Sequence, residues 1–397
     1  MESLIHFAPY VGWVYPNETV VEWTILLAVY PYLTGLVAGA FTVSSLYQVF
    51  GFERLRPVAH LALLTSLCCM LFVPLPLLLH LGHPERAFNA MITPHLTSAM
   101  AMFGFFATFY VVLLMLEIWF AYRPYIVEQA RKRNDLMGKV YKVLTLGSYD
   151  VSEEALRVDQ KWVFWLAVIG IPGAHGLHGY VGFLFGSLKS REWWSSDLMP
   201  VIFLFSAIIS GVSLLIVLYV VSCKVRKVAI DVGCIKGLAY TVWAFIMVAL
   251  LLEALEFANI VYKGREGVDM IMEYVTGPLL VPYFVLQFGI GAVTPLLILS
   301  YMIWRHTTGR ALVFGVTLSA SLVLLSVFMM RWNVVIGGQE ISKTGKGLLT
   351  YFLPILGQEG LLVALALTLA PLAVLLGMIK LFPPWHDKAG HAVMAAS

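Results

Sequence analysis

The sequence is poor in charge. Asp, Glu, Lys and Arg make up 12% of its 397 residues, against about 25% in an ordinary soluble domain. Hydrophobic residues make up 60%, and the mean hydropathy is +0.85. A soluble fold of this length has no interior large enough for so much apolar surface, so a water-soluble globule is excluded. A net charge of +3 is too small to argue for nucleic acid. Cysteine is scarce as well. Cys68 and Cys69 lie together in an apolar run, and Cys223 and Cys234 flank a short basic loop. No CxxC is present, which argues against an iron–sulfur cluster or zinc site held by this chain alone and leaves small buried residues as the reading. P-loop, GxGxxG and HExxH motifs are missing too, so nucleotide chemistry is not indicated. Residues 1–20 have no basic n-region and are interrupted by Pro9, Pro16 and Asn17. No cleavable leader is expected there, and the first apolar span should itself act as the targeting signal.

What the chain does have is long apolar runs. A bilayer core about 30 Å thick needs about 20 apolar residues per spanning helix. Nine segments meet that test, at about 22–48, 57–80, 95–121, 161–186, 197–222, 235–262, 277–304, 309–330 and 355–381. The expected fold is an all-α integral membrane protein. Its parts would be an external segment 1–21, a four-helix bundle 22–186, a second four-helix bundle 197–331, an extra C-terminal helix 355–381 and a tail 382–397. Lys and Arg concentrate in one set of connections, above all the loop 122–160, which carries Arg123, Arg131, Lys132, Arg133, Lys139, Lys142 and Arg157. The positive-inside rule then puts that loop and the C-terminus in the cytoplasm and the N-terminus outside an inner cell membrane. Residues 125–146 read as one basic amphipathic helix on the inner surface, with docking of a cytoplasmic partner as the alternative. Trp23, Trp119, Trp162, Trp193, Trp194, Trp304 and Trp332 sit near predicted ends, as in an interfacial belt. Gly35, Ala38 and Gly39 in the first span echo Ser206, Gly211 and Ser213 in the fifth. Either a duplication or generic close packing of helices accounts for that.

Ionisable groups inside hydrocarbon are costly and mark function. His175 and His178 lie in the fourth span, and Glu253 and Glu256 in the sixth. Each pair has i, i+3 spacing, which presents one helical face. His80 and His83 end the second span; Arg331 and Asn333 end the eighth. At about 1.5 Å per residue, all fall in the outer third of the membrane. Histidine and carboxylate can accept the two protons of a quinol and bond its ring oxygens. A polar headgroup with a lipid-bound tail suits such a pocket. Bland readings stand beside this one: a histidine that only bonds a backbone carbonyl, glutamates that only pair for packing, an Arg331 that snorkels, and core roles for Tyr30 and Tyr32. Glu117 reads as interfacial at the inner end of the third span. A haem is disfavoured, because the spans after residue 197 contain no histidine and a two-level ladder needs them on facing helices.

Four stretches carry a resemblance. They are the first span around Trp23, Tyr30, Gly35 and Gly39; Leu81-Gly82-His83-Pro84-Glu85-Arg86 with Thr97-Ser98; His175-Gly176-Leu177-His178-Gly179-Tyr180; and Arg331-Trp332-Asn333 with Gly337-Gly338-Gln339. Over about residues 20–340 the chain resembles the polysulfide reductase membrane-anchor, or NrfD-like, family. Within the family it is most similar to the membrane subunits of Dsr-type sulfite-reduction-associated complexes and their Hme menaquinol-oxidising relatives. It departs from the family pattern at His80 and His83. The resemblance implies a subunit that binds menaquinone or another quinone near the outer face and carries no metal centre. It implies electron exchange with a ferredoxin-like iron–sulfur subunit outside. It also implies partners that include cytochrome c, a membrane cytochrome b and a cytoplasmic iron–sulfur protein related to heterodisulfide reductase.

The expected function is therefore that of a quinone-reactive subunit in a respiratory redox complex, linked to sulfur or sulfite metabolism and to proton movement. His175, His178, Glu253 and Glu256 are the candidate proton acceptors. Tyr30, His80, Arg86, His178, Arg331 and Asn333 are the candidate headgroup contacts. A proton-coupled secondary transporter is the alternative, since nine spans and membrane glutamates suit it as well. A redox-silent anchor is disfavoured, because it would gain nothing from buried carboxylates. A fourth reading combines quinone chemistry with proton movement through Glu117 and the glutamates, and requires a wetted path from the inner side.

Overall fold

The computed structural model describes residues 6–7, 20–95, 97–264, 267–344 and 347–385. Most of the expected segment 1–21 and tail 382–397, with His386 and His391, lies outside the described residues.

The fold is helical throughout. In chain order the helices are α1 (Leu26–Gln48), α2 (Arg56–Phe72), α3 (Pro74–His80), α4 (Asn89–Ile92), α5 (Ala99–Lys132), α6 (Leu136–Leu144), α7 (Glu153–Gly186), α8 (Met199–Arg226), α9 (Val232–Lys263) and α10 (Val268–Thr276). There follow a π-helix (Leu280–Val293) running on as α11 (Thr294–Trp304), then α12 (Gly309–Val335), α13 (Gly337–Glu340) and α14 (Leu361–Leu381). Pro74 and Pro76 split the expected second span into α2 and α3, because a proline inside a helix removes a backbone donor. The described strands are two residues long, His6–Phe7 against Gly347–Leu348.

Among the described residues, eight helical stretches are long and apolar enough to cross a membrane. The expected fourth span is not among them. It lies in α7, which at 34 residues is amply long. Pro172, the glycines from Gly170 to Gly182 and the two histidines dilute its hydropathy. It nonetheless packs against α5, α8 and α1. The loop 122–160 also differs from expectation. α5 continues through Pro124 to Lys132, and the basic surface helix is only α6, whose start is fixed by the Asp135 carboxylate accepting from the Gly138 N–H at 2.9 Å. Arg123 and Asp159, both buried, tie the α5 and α7 extensions together with N–O distances of 2.7–2.8 Å.

α1 is the axis of the molecule. It is flanked by α2, α7, α8 and α12, and residues from Ile25 to Ser45 are almost all buried. It crosses α8 where Gly39 meets Gly211. A Cβ at either glycine would collide with the backbone of the other helix, so the small residues noted in the sequence are one contact surface. Gly211→Val is expected to force the helices apart, costing about 1–3 kcal/mol or more. Thermal unfolding of the detergent-purified protein would show it. Gly377→Ala, where a Cβ meets nothing within 4 Å, should leave that transition unchanged or raise it slightly.

Candidate functional site

The polar residues converge near the end of the bundle where α7, α9 and α12 finish. Arg331 is the centre. It has no exposed surface. Its Nη2 donates to Ser206 Oγ at 2.5 Å and approaches His178 Nε2 at 3.0 Å. Its guanidinium lies 3.9 Å from the centroid of the Phe203 ring, against which His178 also stacks. A guanidinium only donates, so His178 Nε2 accepts and the ring proton sits on Nδ1. That nitrogen lies toward the Phe203 carbonyl without forming a hydrogen bond among the described residues. Gly35 of α1 makes room for the imidazole: a Cβ there would stand 3.2 Å from His178 Cε1.

Beside this lies an amide–carboxylate chain across three elements. Asn333 Nδ2 on α12 donates to Gln287 Oε1 at 2.7 Å, and Gln287 Nε2 donates to Glu253 Oε2 on α9 at 2.6 Å. The π-winding serves this arrangement. Thr294 N–H reaches back to Gly289 C=O, and Gly291 lies against the Ser326 backbone where no side chain would fit. Ser326 Oγ donates to the Gln287 carbonyl at 2.9 Å. Tyr283 and Gln287 are thereby turned inward. Such π segments often occur at functional sites.

The chain opens into a narrow cleft lined by Glu253, Glu256, Tyr283, Gln287, Asn333 and Trp193 among others. Two buried atoms there, Glu256 Oε2 and Asn333 Oδ1, make no hydrogen bond among the described residues. Buried polar groups are ordinarily paired, so the cleft presents unfilled capacity for a ligand donor. Glu256 also lines a second cavity with Ser196, Asp197, Asn259 and Lys263, so one carboxyl stands between the two spaces.

Tryptophans close this end rather than forming a belt there. Trp193 and Trp194 are buried. Their Nε1 atoms donate to the Asn333 and Val334 carbonyls at 3.1 and 2.5 Å. Trp194 stacks on Trp23 and lies so close to Gly338 that any side chain at that position would overlap it. Gln339 Oε1 accepts from the Trp23 N–H at 2.9 Å, and Arg191 donates to the Gly338 and Ile341 carbonyls. The Arg-x-Asn and Gly-Gly-Gln parts of one motif thus do separate things. The first faces the site and the second seals the bundle over it. Trp162 and Trp304 are exposed, as lipid-facing residues would be.

The structure brings His178, Arg331, Glu253, Glu256 and Asn333 together. The other expected contacts lie elsewhere. His175 bonds the Ile171 carbonyl through Nδ1 at 2.8 Å and faces Thr42 Oγ1 at 3.4 Å. Tyr30 packs edge-on against Phe103 of α5. His80 pairs with Glu359 at 2.9 Å. Arg86 is exposed beside Glu85. Gln287, Tyr283, Phe203, Ser206 and Trp193 were not anticipated as site residues. Gln287 had a signal: it is the only side-chain amide in the apolar stretch 280–304, and the cost argument applied to the glutamates applies to it. The rings had none, because an aromatic in a span is ordinary. Among the described residues no three His, Cys, Asp or Glu come together as a metal-holding group.

Comparison with known proteins adds an independent line. The family profile described as polysulphide reductase, NrfD, matches residues 14–342. The chain is 30% identical over 322 residues to a selenate reductase subunit of Mesobacillus selenatarsenatis, covering 79% of this chain and 73% of that protein. It is 27% identical over 297 residues to a putative dimethyl sulfoxide reductase membrane subunit of Halobacterium salinarum, covering 73% and 64%. It is 25% identical over 326 residues to the Hdr-like menaquinol oxidoreductase integral membrane subunit of Archaeoglobus fulgidus, covering 80% and 71%.

Proposed function

The chain belongs to the polysulphide reductase, NrfD, family, and on that premise we propose that it is the quinone-reactive membrane subunit of a redox complex, with its headgroup site in the Glu253–Glu256 cleft. One observation carries the reading. Two unsatisfied buried oxygens, on Glu256 and Asn333, face a cleft that also holds a second carboxyl. A hydroxylated ring fits that donor-poor, acceptor-rich set. The relative named as a menaquinol oxidoreductase subunit favours menaquinol.

A bound quinol supplies two electrons and two protons. The rest is the work of this chain. Asn333 Oδ1 accepts from one ring hydroxyl and orients it. Gln287, held by Asn333 and Ser326, fixes Glu253 Oε2 and leaves its Oε1 to the ligand. Glu256 Oε2 accepts a proton and, standing between the cleft and the Lys263-lined cavity, releases it toward the adjacent surface. Arg331 lies within electrostatic reach of Glu253 and steadies negative charge as the carboxyl loses its proton. By the distribution of Lys and Arg that surface is the outer one, where a ferredoxin-like iron–sulfur subunit would take the electrons. A multihaem cytochrome c, a cytochrome b and a cytoplasmic iron–sulfur protein would complete the complex, and sulfur-compound metabolism would be its setting.

The test is to purify the complex in mild detergent, extract it with organic solvent and identify the co-purifying chains. Stoichiometric quinone together with an iron–sulfur subunit is the expected result. A chain that purifies alone, without quinone, would replace this reading with proton-coupled transport.

A further inference from the structure

The far end of the molecule holds a different set of unsatisfied groups. Between α1, α2, α5 and α7, at the end that carries the basic loop, lies a solvent-open cavity. Gln48, Tyr122, Glu53 and Asp159 are among its lining residues. Asp159 is occupied by Arg123, but the Tyr122 hydroxyl and Gln48 Oε1 are buried and make no hydrogen bond among the described residues. Just inside stands Glu117. The sequence placed it at the interface; the structure buries it completely. The Gln48 side chain faces it, yet neither carboxyl oxygen makes a hydrogen bond or ion pair among the described residues.

The series continues inward. Tyr110 lies two turns before Glu117 on α5, about 10 Å along the axis, and its buried hydroxyl is also without a partner, as is the buried Ser44 Oγ on α1. The Tyr110 ring lies against Gly173 of α7, half a turn before His175. His175 in turn faces Thr42, and His178, with its Nδ1 free of hydrogen bonds among the described residues, is one turn further on. Unsatisfied buried polar groups in roomy, polar surroundings are bridged by water in proteins. An ionisable group inside hydrocarbon with no counter-charge is costly unless it works.

We propose that Glu117 is the gate of a proton path leading from water at the basic end, through the cavity beside Gln48 and Tyr122, toward His175 and His178. A proton from solvent adds to the Glu117 carboxylate; the same carboxyl later gives a proton, through bridging water, to His175 Nε2, the ring nitrogen left to accept because Nδ1 donates to the Ile171 carbonyl, so Glu117 returns to its starting state and no electron is involved. This path is separate from the exit beside Glu256. It rests on the proposed quinol chemistry only for what drives it.

Two measurements test it in the intact complex. In sealed proteoliposomes driven by a short-chain quinol, Glu117→Gln should lower proton uptake from the basic side about 100-fold, the scale of losing a positioned proton carrier. Quinol oxidation by the same variant in detergent should stay within about twofold, since the quinol's own protons leave beside Glu256 and none of them passes through Glu117. Glu117→Asp should restore part of the uptake. Undiminished uptake in Glu117→Gln would overturn the proposal. The second measurement needs neither a variant nor turnover. Dicyclohexylcarbodiimide, which modifies buried protonated carboxyls, should label Glu117 in the resting complex, as read by peptide mass mapping. Failure to label Glu117 would also overturn the proposal. Labelling at Glu117 in a complex that oxidises no quinol would keep the path and discard the quinol site.

Discussion

Replacing Glu253 with Gln is expected to lower quinol-dependent electron transfer about 100-fold or more, the usual contribution of a positioned general base, while the complex still assembles. The substitution keeps size and shape and can still accept from Gln287 Nε2 through its own carbonyl. What it removes is the capacity to take a proton. Glu256→Gln should also slow turnover, but by a different route, because Glu256 borders the second cavity and serves release. Its loss should show most clearly as a smaller rate when solvent protons are exchanged for deuterons, whereas Glu253→Gln should fail already in a single turnover. Steady-state quinol oxidation, rapid-mixing reduction of the iron–sulfur partner and a solvent isotope comparison separate the two. Wild-type rates in both variants would remove the cleft from the chemistry.

Arg331→Met should be nearly as damaging. It fills similar space but deletes two contacts, to His178 Nε2 and Ser206 Oγ; Ser206 keeps its bond to the Phe203 carbonyl, while the buried His178 Nε2 is left unpaired at about 1–3 kcal/mol. It also removes the cation beside Glu253. Preorganised charge of this kind is worth about 100–1000-fold in rate, and that is the loss expected for turnover, together with a lower unfolding temperature. Arg331→Lys keeps the charge but loses the planar fork that reaches both partners while stacking on Phe203. It should retain more stability than the methionine variant and still lose most of the rate. Turnover near wild type in Arg331→Lys would mean that charge alone matters; turnover near wild type in Arg331→Met would mean that the arginine only packs.

How legible was this in the sequence? Membrane class and helix positions were, because apolar runs of bilayer length have few other uses. Their ends were less so: α5 and α7 run past the expected boundaries because charged extensions stay helical when Arg123 and Asp159 hold them together. The cost of charge in lipid picked out His178, Glu253, Glu256 and Arg331, and depth counting put them at one end. It could not tell His178 from His175, three residues away, because the difference is rotation: one faces Arg331, the other faces Thr42. Tyr30 packs on Phe103, His80 pairs with Glu359 and Arg86 is exposed beside Glu85, and depth alone carries no azimuth that would have kept them apart from the cleft. Gln287 was missed because only charge was priced, and the π-helix because winding leaves no mark in composition.

The tie between Gln339 and Trp23, 316 residues apart, has a consequence for biosynthesis. α1 leaves the ribosome first yet ends at the axis, and the residues that lock its start in place are made only after α12 has entered the bilayer. Contacts of such long sequence separation form late. Until then His178 and Ser206 have no guanidinium to bond, and the start of α1 has no seal. A chain arrested before residue 340 would hold every earlier span and still lack a finished pocket, so completion of the site coincides with completion of insertion.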